Sequence, residues 1–341
     1  MQEKQEETQQ NCARGSCSKG FKTMCGGQAL IEGIMMRGPK KESVVVRRPD
    51  GGLEIQEREL RFIRDRYPVL GWPLIRGVVN FGGSMYSGVK ALMYSAEFFP
   101  EDGEAEEEEP SKFEVWLESR LGSEKAASFF LTLAVILGVG MSIGLFFLLP
   151  TLLGTAVTLF TDSMLVRNVA ESLLKIVIFV GYLVLCSRMK DIHRVFQYHG
   201  AEHKCINCVE HGHPLTVKYV RESSKEHKRC GTSFILIVMV ISILMFMVIR
   251  VDTIWMRILS RIILVPVIAG ISYEVLQCAG RSNSKFMDLV SRPGMWMQGL
   301  TTKEPDDSMI EVAIAATEAV FDWREYLTEN FPGWEKQLEE S

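Results

Sequence analysis

From Ala126 to Thr161 the chain runs 36 residues without an Asp, Glu, Lys or Arg, and from Thr232 to Ile249 it runs 18 more. A helix needs about 20 apolar residues to cross a hydrocarbon core, so these runs exclude a purely soluble reading and point to membrane-embedded helices. The averages conceal this: 47% apolar, 23% charged and a net charge of −4 over 341 residues are ordinary values. The same balance argues against a disordered chain and against a nucleic-acid binder held by bulk positive charge. Residues 1–25 are polar, read as a disordered N-terminus, and carry no apolar core of the signal-peptide kind.

Four transmembrane helices are expected: Ala126–Leu149 ended by Pro150, Val169–Ser187 with Glu171 and Lys175 near one end, Thr232–Ile249, and Thr253–Glu274 with Arg257 and Arg261 near its start. Residues 151–161 are apolar but too short for a span of their own. The segment 188–230 holds nine Lys/Arg, whereas the 150–168 connection holds only Arg167. By the positive-inside rule the middle loop and both termini are then cytoplasmic. Arg257 and Arg261 share a helix face, either snorkelling to outer headgroups or lining a polar interior.

The remainder is read as mainly α with a small N-terminal β unit over 26–60. Ser43–Arg48 is rich in β-branched residues, and Pro49-Asp50-Gly51-Gly52 is a turn before Leu53–Glu57. Gly26-Gly27 and Gly38-Pro39 are taken as turns, since no Gly-Lys-Ser/Thr follows to make a phosphate loop. Residues 61–100 form an interfacial or membrane-packed helical segment. Residues 101–112 are an acidic linker with seven acids between 101 and 109. In the C-terminal region, 279–341, an amphipathic helix begins at Ser308 with Glu311 completing a capping box, its apolar stripe being Ile310, Ile314, Thr317 and Phe321.

All six histidines fall between 193 and 227. His199-Gly200-Ala201-Glu202-His203 continues the helical stripe of Ile192, Val195 and Phe196. Two histidines four apart on one face can hold one metal ion, and Glu202 can reach the same face to take a proton from an attacking water. This is the H-x-x-E-H order of inverted zincins. A third ligand is required, and Glu274 is the candidate. It lies 71 residues beyond His203, at the end of a span about 30 Å long, and so emerges on the same side. A rival site uses Cys205-x-x-Cys208 with His227-x-x-Cys230, close to a structural zinc ribbon. The plain alternative is that these side chains only hydrogen-bond within a headgroup-facing loop. The eight cysteines, without a secretory leader, suit free thiols or metal ligands better than a disulfide scaffold.

Three motifs in order resemble the YqhQ-like bacterial membrane proteins, a family of unknown function described as metal-dependent enzymes: Gly26-Gly27-Gln28-Ala29-Leu30-Ile31-Glu32-Gly33-Ile34-Met35-Met36-Arg37-Gly38-Pro39, then His199-Gly200-Ala201-Glu202-His203-Lys204, then His227-Lys228-Arg229-Cys230-Gly231-Thr232-Ser233-Phe234. The resemblance covers about residues 24–305. It implies that His227 and Cys230 belong to the family pattern while Cys205 and Cys208 need not be cysteine. That weakens the ribbon and makes His227 an alternative third ligand.

The expectation is a multi-pass protein of the bacterial cytoplasmic membrane. Its divalent metal, zinc in the first instance, is bound by His199, His203 and Glu274 or His227, and Glu202 is the catalytic base for hydrolysis. Its partners are the lipid bilayer and an amphiphilic or peptide substrate at the inner leaflet, with no nucleic acid. His227, Lys204 and Arg229 are candidates for oxyanion stabilisation. A non-catalytic scaffold or assembly factor is the alternative. A transporter lined by Arg257, Arg261, Glu171 and Lys175 is a third reading.

Overall fold

The structure, a computed structural model, describes residues 23–60, 63–99, 136–156, 163–248, 254–281 and 284–339, with isolated positions at 129 and 133. It is mainly helical with a small N-terminal antiparallel sheet. Residues 1–22, the acidic run 101–109 and the side chains of Arg257 and Arg261 lie outside the described residues. Two compact units emerge, one from the described parts of 1–98, 186–242 and 251–341, the other from those of 99–185 and 243–250.

In the first unit, β1 (Gly26–Leu30), β2 (Gly33–Arg37), β3 (Lys41–Arg47) and β4 (Leu53–Glu59) form a meander in chain order. The Val44–Val46 run supplies β3, and Val45 pairs with Ile34. The 49–52 turn forms as the sequence indicates: Arg48 N donates to Gly52 O at 2.8 Å, and Gly51 has φ of +85°. Gly26-Gly27, in contrast, starts β1 and is no turn. After β4 and two short helical turns, Ile63–Arg66 and Pro68–Gly71, comes α1 (Ile75–Ala96), then in later chain order α3 (Lys190–Glu210), α4 (Gly231–Val248, of which 243–248 fall in the second unit), α5 (Ile254–Arg281), α6 (Lys285–Thr301), α7 (Asp307–Glu318) and α8 (Trp323–Asn330). α2 (Met164–Cys186) precedes α3 and belongs to the second unit but for its last residue.

The core of the first unit is the inner sheet face, Ile34, Met36 and Val45, closed by Ala201, Cys205 and Val209 of α3 and by Ile310, Ala313 and Ala316 of α7. Each buried aliphatic side chain contributes about 1.5–3 kcal/mol. The small residues of α7 let it approach closely, and Ser43 Oγ donates to Ala316 O at 2.9 Å. α7 begins two residues earlier than expected. Asp306 is the cap, accepting from Met309 N, while Ser308 bonds to Asp306 and Glu311 pairs with Arg47 instead of closing a capping box.

In the second unit, Ile136–Gly154 and Val169–Cys186 are long and apolar enough to cross a membrane. Their side chains Leu137, Met141, Leu173, Val177 and Leu185 are exposed. Pro150 does not end its helix. It lies within Leu149–Ala156, directly after a π-helical turn at Gly144–Leu148, a local widening that re-routes the carbonyls a proline leaves unpaired. Thr151 Oγ1 donates to Glu171 Oε1 at 3.0 Å, and Lys175 pairs with the same carboxylate at 3.0 Å. The other two expected spans correspond to shorter apolar runs, Gly231–Met247 and Ile263–Ala279.

Candidate metal centre

α3 is a separate helix and not an extension of α2, because the chain breaks between Cys186 and Lys190 with Met189 extended at the cap. Beyond its cap His211 stands Gly212, whose φ of +82° suits glycine. Its second half, Gly200–Val209, is buried throughout, charged residues included. Apart from Glu202 Oε2, the charged and amide side chains there are matched to partners. Lys204 Nζ donates to Arg221 O at 2.8 Å and Ser223 O at 2.9 Å and pairs with Glu304 at 3.0 Å. Asn207 Nδ2 donates to Ser224 O at 2.7 Å and Glu226 O at 2.9 Å. These bonds lash the 221–227 segment along α3, so Cys230 is delivered to a helix 31 residues upstream of it in the chain.

His199 and His203 stand one turn apart with ring centroids 4.4 Å from each other. His199 Nδ1 lies 3.0 Å from Thr301 O, and His203 Nδ1 lies 2.7 Å from Lys225 O. A carbonyl can only accept, so each Nδ1 carries a proton, and in the neutral imidazole each Nε2 then offers its lone pair, the tautomer of a metal-ligating histidine. His199 Nε2 is 3.2 Å from Cys230 Sγ. One donor atom from each of His199, His203 and Cys230 lies within 4.8 Å of the other two, the group among the described residues able to share an ion. Cys230 sits where α4 starts. Its sulfur accepts from Thr232 N at 3.4 Å and is 3.0 Å from Thr232 Oγ1.

Glu202 flanks this group. Its Oε1 accepts from Gly27 N at 2.7 Å, while its buried Oε2 has no hydrogen-bond partner among the described residues. Burial raises the carboxyl above the ordinary range, against the opposing influence of His199 and the Gly27 N–H. Gly27 is required by this approach, since a Cβ there would fall 2.6 Å from Met35 O and 3.2 Å from Glu202. Gly200 has a matching role, because a Cβ would fall 2.0 Å from Lys303 O, just beyond the end of α6 that presents Thr301 O to His199. Thr301 Oγ1 is a second buried oxygen without a partner among the described residues.

The expected third ligands are elsewhere. Glu274 is held by Arg76, Nε at 2.8 Å and Nη2 at 2.5 Å, and accepts from Leu74 N at 3.3 Å. Glu274 lies inside α5, which runs on to Arg281, and the cation it pairs with is an arginine. The His227 ring lies 5.7 Å from that of His203, and its Nε2 faces Glu210 Oε2 at 3.7 Å. Burial lowers its pKa to about 4, with Glu210 only partly opposing, so it is neutral at pH 7. Its backbone is gripped by Gln298, which accepts from the N–H and donates to the carbonyl, both at 2.8 Å. The ribbon does not assemble. Cys205 and Cys208 belong to the apolar core, where burial pushes the Cys208 thiol up to about 12. The candidates for oxyanion stabilisation are engaged too: Lys204 as above, and Arg229 with Glu210. Cys230 was visible in the sequence as a member of His227-x-x-Cys230, but nothing local in that pattern indicates that the cysteine leaves its neighbouring histidine for His199.

The donor set fits a divalent ion. Two imidazoles and a sulfur suit zinc and disfavour magnesium or calcium, and three protein donors would leave a fourth position open.

Comparison with known proteins adds a family and no activity. The family model described as "Protein of unknown function (DUF1385)" matches residues 72–323, which include His199, Glu202, His203 and Cys230. "Uncharacterized protein YqhQ" of Bacillus subtilis (strain 168) is 36% identical over 292 residues, covering 85% of this chain and 89% of that protein. No solved structure matches.

Proposed function

The chain belongs to the DUF1385 family, and from that footing we propose that it is a membrane-embedded zinc-dependent hydrolase centred on His199, His203 and Cys230. The observation that carries this reading is the convergence of two tautomer-fixed imidazoles and a sulfur within 4.8 Å, next to a buried carboxylate with one oxygen free of hydrogen bonds. Zinc supplies Lewis acidity and a nucleophile at neutral pH. The chain supplies the rest. Thr301 O and Lys225 O aim the imidazoles, the Gly27 N–H holds Glu202 Oε1, and Glu202 Oε2 accepts the proton of an attacking water and returns it to the leaving group. The substrate is a peptide or another amphiphile that reaches the inner leaflet of the bacterial cytoplasmic membrane. The four apolar runs act as spans, with both termini cytoplasmic. Support for the bilayer comes from the two long apolar helices and their outward side chains.

Burial favours one second reading. His203, Cys230 and Glu202 are each buried, with His199 alone of the three donors partly exposed. If Glu202 takes the fourth position, the centre is closed and structural, as in a membrane scaffold. Metal content of the purified protein separates the two. About one zinc per chain is expected in wild type, Glu274→Gln and Glu202→Gln, and little in His203→Ala and Cys230→Ser. Zinc lost from Glu202→Gln favours the scaffold. Zinc kept in Cys230→Ser, or lacking in wild type, overturns the centre.

A further inference from the structure

α1 is only half covered. Gly77, Gly88, Ala91 and Ser95 form its buried stripe. Three serines on α1 bond to the sheet or the turn within it: Ser84 Oγ accepts from Arg37 at 3.1 Å, Ser87 Oγ from Arg58 at 3.5 Å and Ser95 Oγ from Ile31 N at 3.3 Å. The helix therefore lies along the sheet. Its uncovered face carries Val78, Met85, Tyr86, Val89 and Met93, with Tyr86 71% exposed. From Val78 to Met93 that face extends about 22 Å. Between 75 and 96 the charges are Arg76, paired with Glu274, and Lys90. An apolar surface of this length marks a contact site.

Its neighbours indicate what covers it. The first turns of α1 are stitched to α5 by Arg76–Glu274 and by Asn80 Nδ2 donating to Tyr273 Oη at 2.9 Å. Phe81 packs on Phe234 of α4 with centroids 5.1 Å apart. α4 and α5 carry the shorter apolar runs, with Ile235, Val240, Ile263 and Val265 outward. The open face of α1 thus joins the outer surface of two apolar helices. Tyr67 and Trp72, both exposed, precede it, and such amphipathic rings settle at the headgroup level.

We propose that α1 is an in-plane membrane anchor, its Val78–Met93 face resting in the headgroup–acyl boundary while its serine-lined side holds the sheet against the bilayer. This rests on the reading of the chain as a membrane protein. It deepens that reading, because the anchored sheet includes the strand whose Gly27 N–H holds Glu202. An interfacial helix of this kind sinks about 5–10 Å below the headgroups.

Nitroxide labels at Val78, Met85, Val89 and Met93 test the proposal in the full chain. The background replaces Cys12, Cys17, Cys186 and Cys278 by Ser, the remaining cysteines being buried beyond the reach of the label. The protein is reconstituted into vesicles of phosphatidylethanolamine and phosphatidylglycerol, and each label's collisions with oxygen and with an aqueous nickel chelate are compared. Oxygen collisions several-fold in excess, at one shallow depth for all four sites, are expected. A depth that changes steadily from Val78 to Met93 overturns the proposal in favour of a crossing helix. Excess nickel collisions overturn it in favour of water, and protection from both in favour of a protein partner or second copy. Flotation of the same sample separates the two levels of argument. A protein that fails to float with the vesicles ends the membrane reading and the anchor together. One that floats with aqueous labels ends the anchor alone.

Discussion

α2 and the second half of α3 invert each other. α2 is dominated by Leu, Val, Ile and Phe, yet Leu173, Val177 and Leu185 face outward. α3 carries Glu202, His203, Lys204 and Asn207, and buries all four. Hydropathy alone would exchange the two. The difference teaches that burial follows the availability of partners. On α3 nearly every polar atom is matched to a named carbonyl, carboxylate or N–H, which removes the desolvation penalty of burying it. On α2 the outward side chains need no partner if their solvent is lipid.

The sharpest way to break that comparison is to put a charge on the outward face of α2. Val177 is 65% exposed. In water, Val177→Arg changes stability by no more than about 0.5 kcal/mol. At the middle of a membrane helix it costs about 3 kcal/mol, roughly a hundredfold in insertion. The fraction of protein that resists alkaline extraction from membranes is expected to collapse in this variant. An unchanged fraction removes the lipid explanation for the outward face.

Glu210 tests the opposite side, a buried charge kept by its partners. Burial pushes its carboxyl up, but hydrogen bonding to His227 and the charge of Arg229 outweigh this, and with Thr23 N–H they hold it down at about 2. A carboxyl whose folded value lies below its unfolded one adds stability that is complete above the ordinary carboxylate range. That contribution is lost as pH falls from about 4.5 towards 2, and it is on the order of 3 kcal/mol. Denaturant midpoints should therefore drop on acidification through this window in wild type. In Glu210→Gln they should start lower at neutral pH and drop less. Equal slopes in the two proteins mean that the Glu210 partners do not stabilise the ionised form.

Glycines give a paired test of smaller size. Adding a methyl group at Gly200 of α3 places it 2.0 Å from Lys303 O, whereas at Gly181 of α2 it meets nothing within 4 Å. Gly200→Ala should destabilise by about 1–3 kcal/mol and loosen the Thr301 support of His199, lowering zinc occupancy. Gly181→Ala should be neutral or gain up to about 1 kcal/mol from helix propensity. Thermal midpoints moving the same way in both variants would remove the contrast in packing between the two helices.

Legibility divides along the same line. Local patterns carry β3, β4 and the 49–52 turn between them, the apolar helices and the one-turn spacing of His199 and His203, but not β1, whose Gly26-Gly27 reads as a turn. Cys230 was not legible as a partner of His199, because that contact depends on Lys204 and Asn207 folding the 221–227 segment onto α3, and polar residues in a basic stretch read as solvated loop. Glu274, expected as a metal ligand, pairs instead with Arg76, which comes from a segment whose location no periodicity defines. Pro150 reads as a stop only while the helix is assumed to be regular.

The start of α7 is the smallest case and the cleanest, since this helix obeys the ordinary amphipathic rule that α2 and α3 both depart from. The sequence points to Ser308 as the cap, and the structure places Asp306 there. Asp306 Oδ1 accepts from Met309 N at 2.9 Å and from Ser308 Oγ at 2.6 Å, so the serine supports the cap and does not form it. Asp306→Ala should cost about 1 kcal/mol, the usual worth of an N-cap, and Ser308→Ala only a fraction of that. Because α7 closes the core over Ile34 and Val45, both effects should be read by global unfolding. If Ser308→Ala is the more damaging, the capping box with Glu311 governs the helix after all, and the Arg47–Glu311 pair that replaces it is incidental.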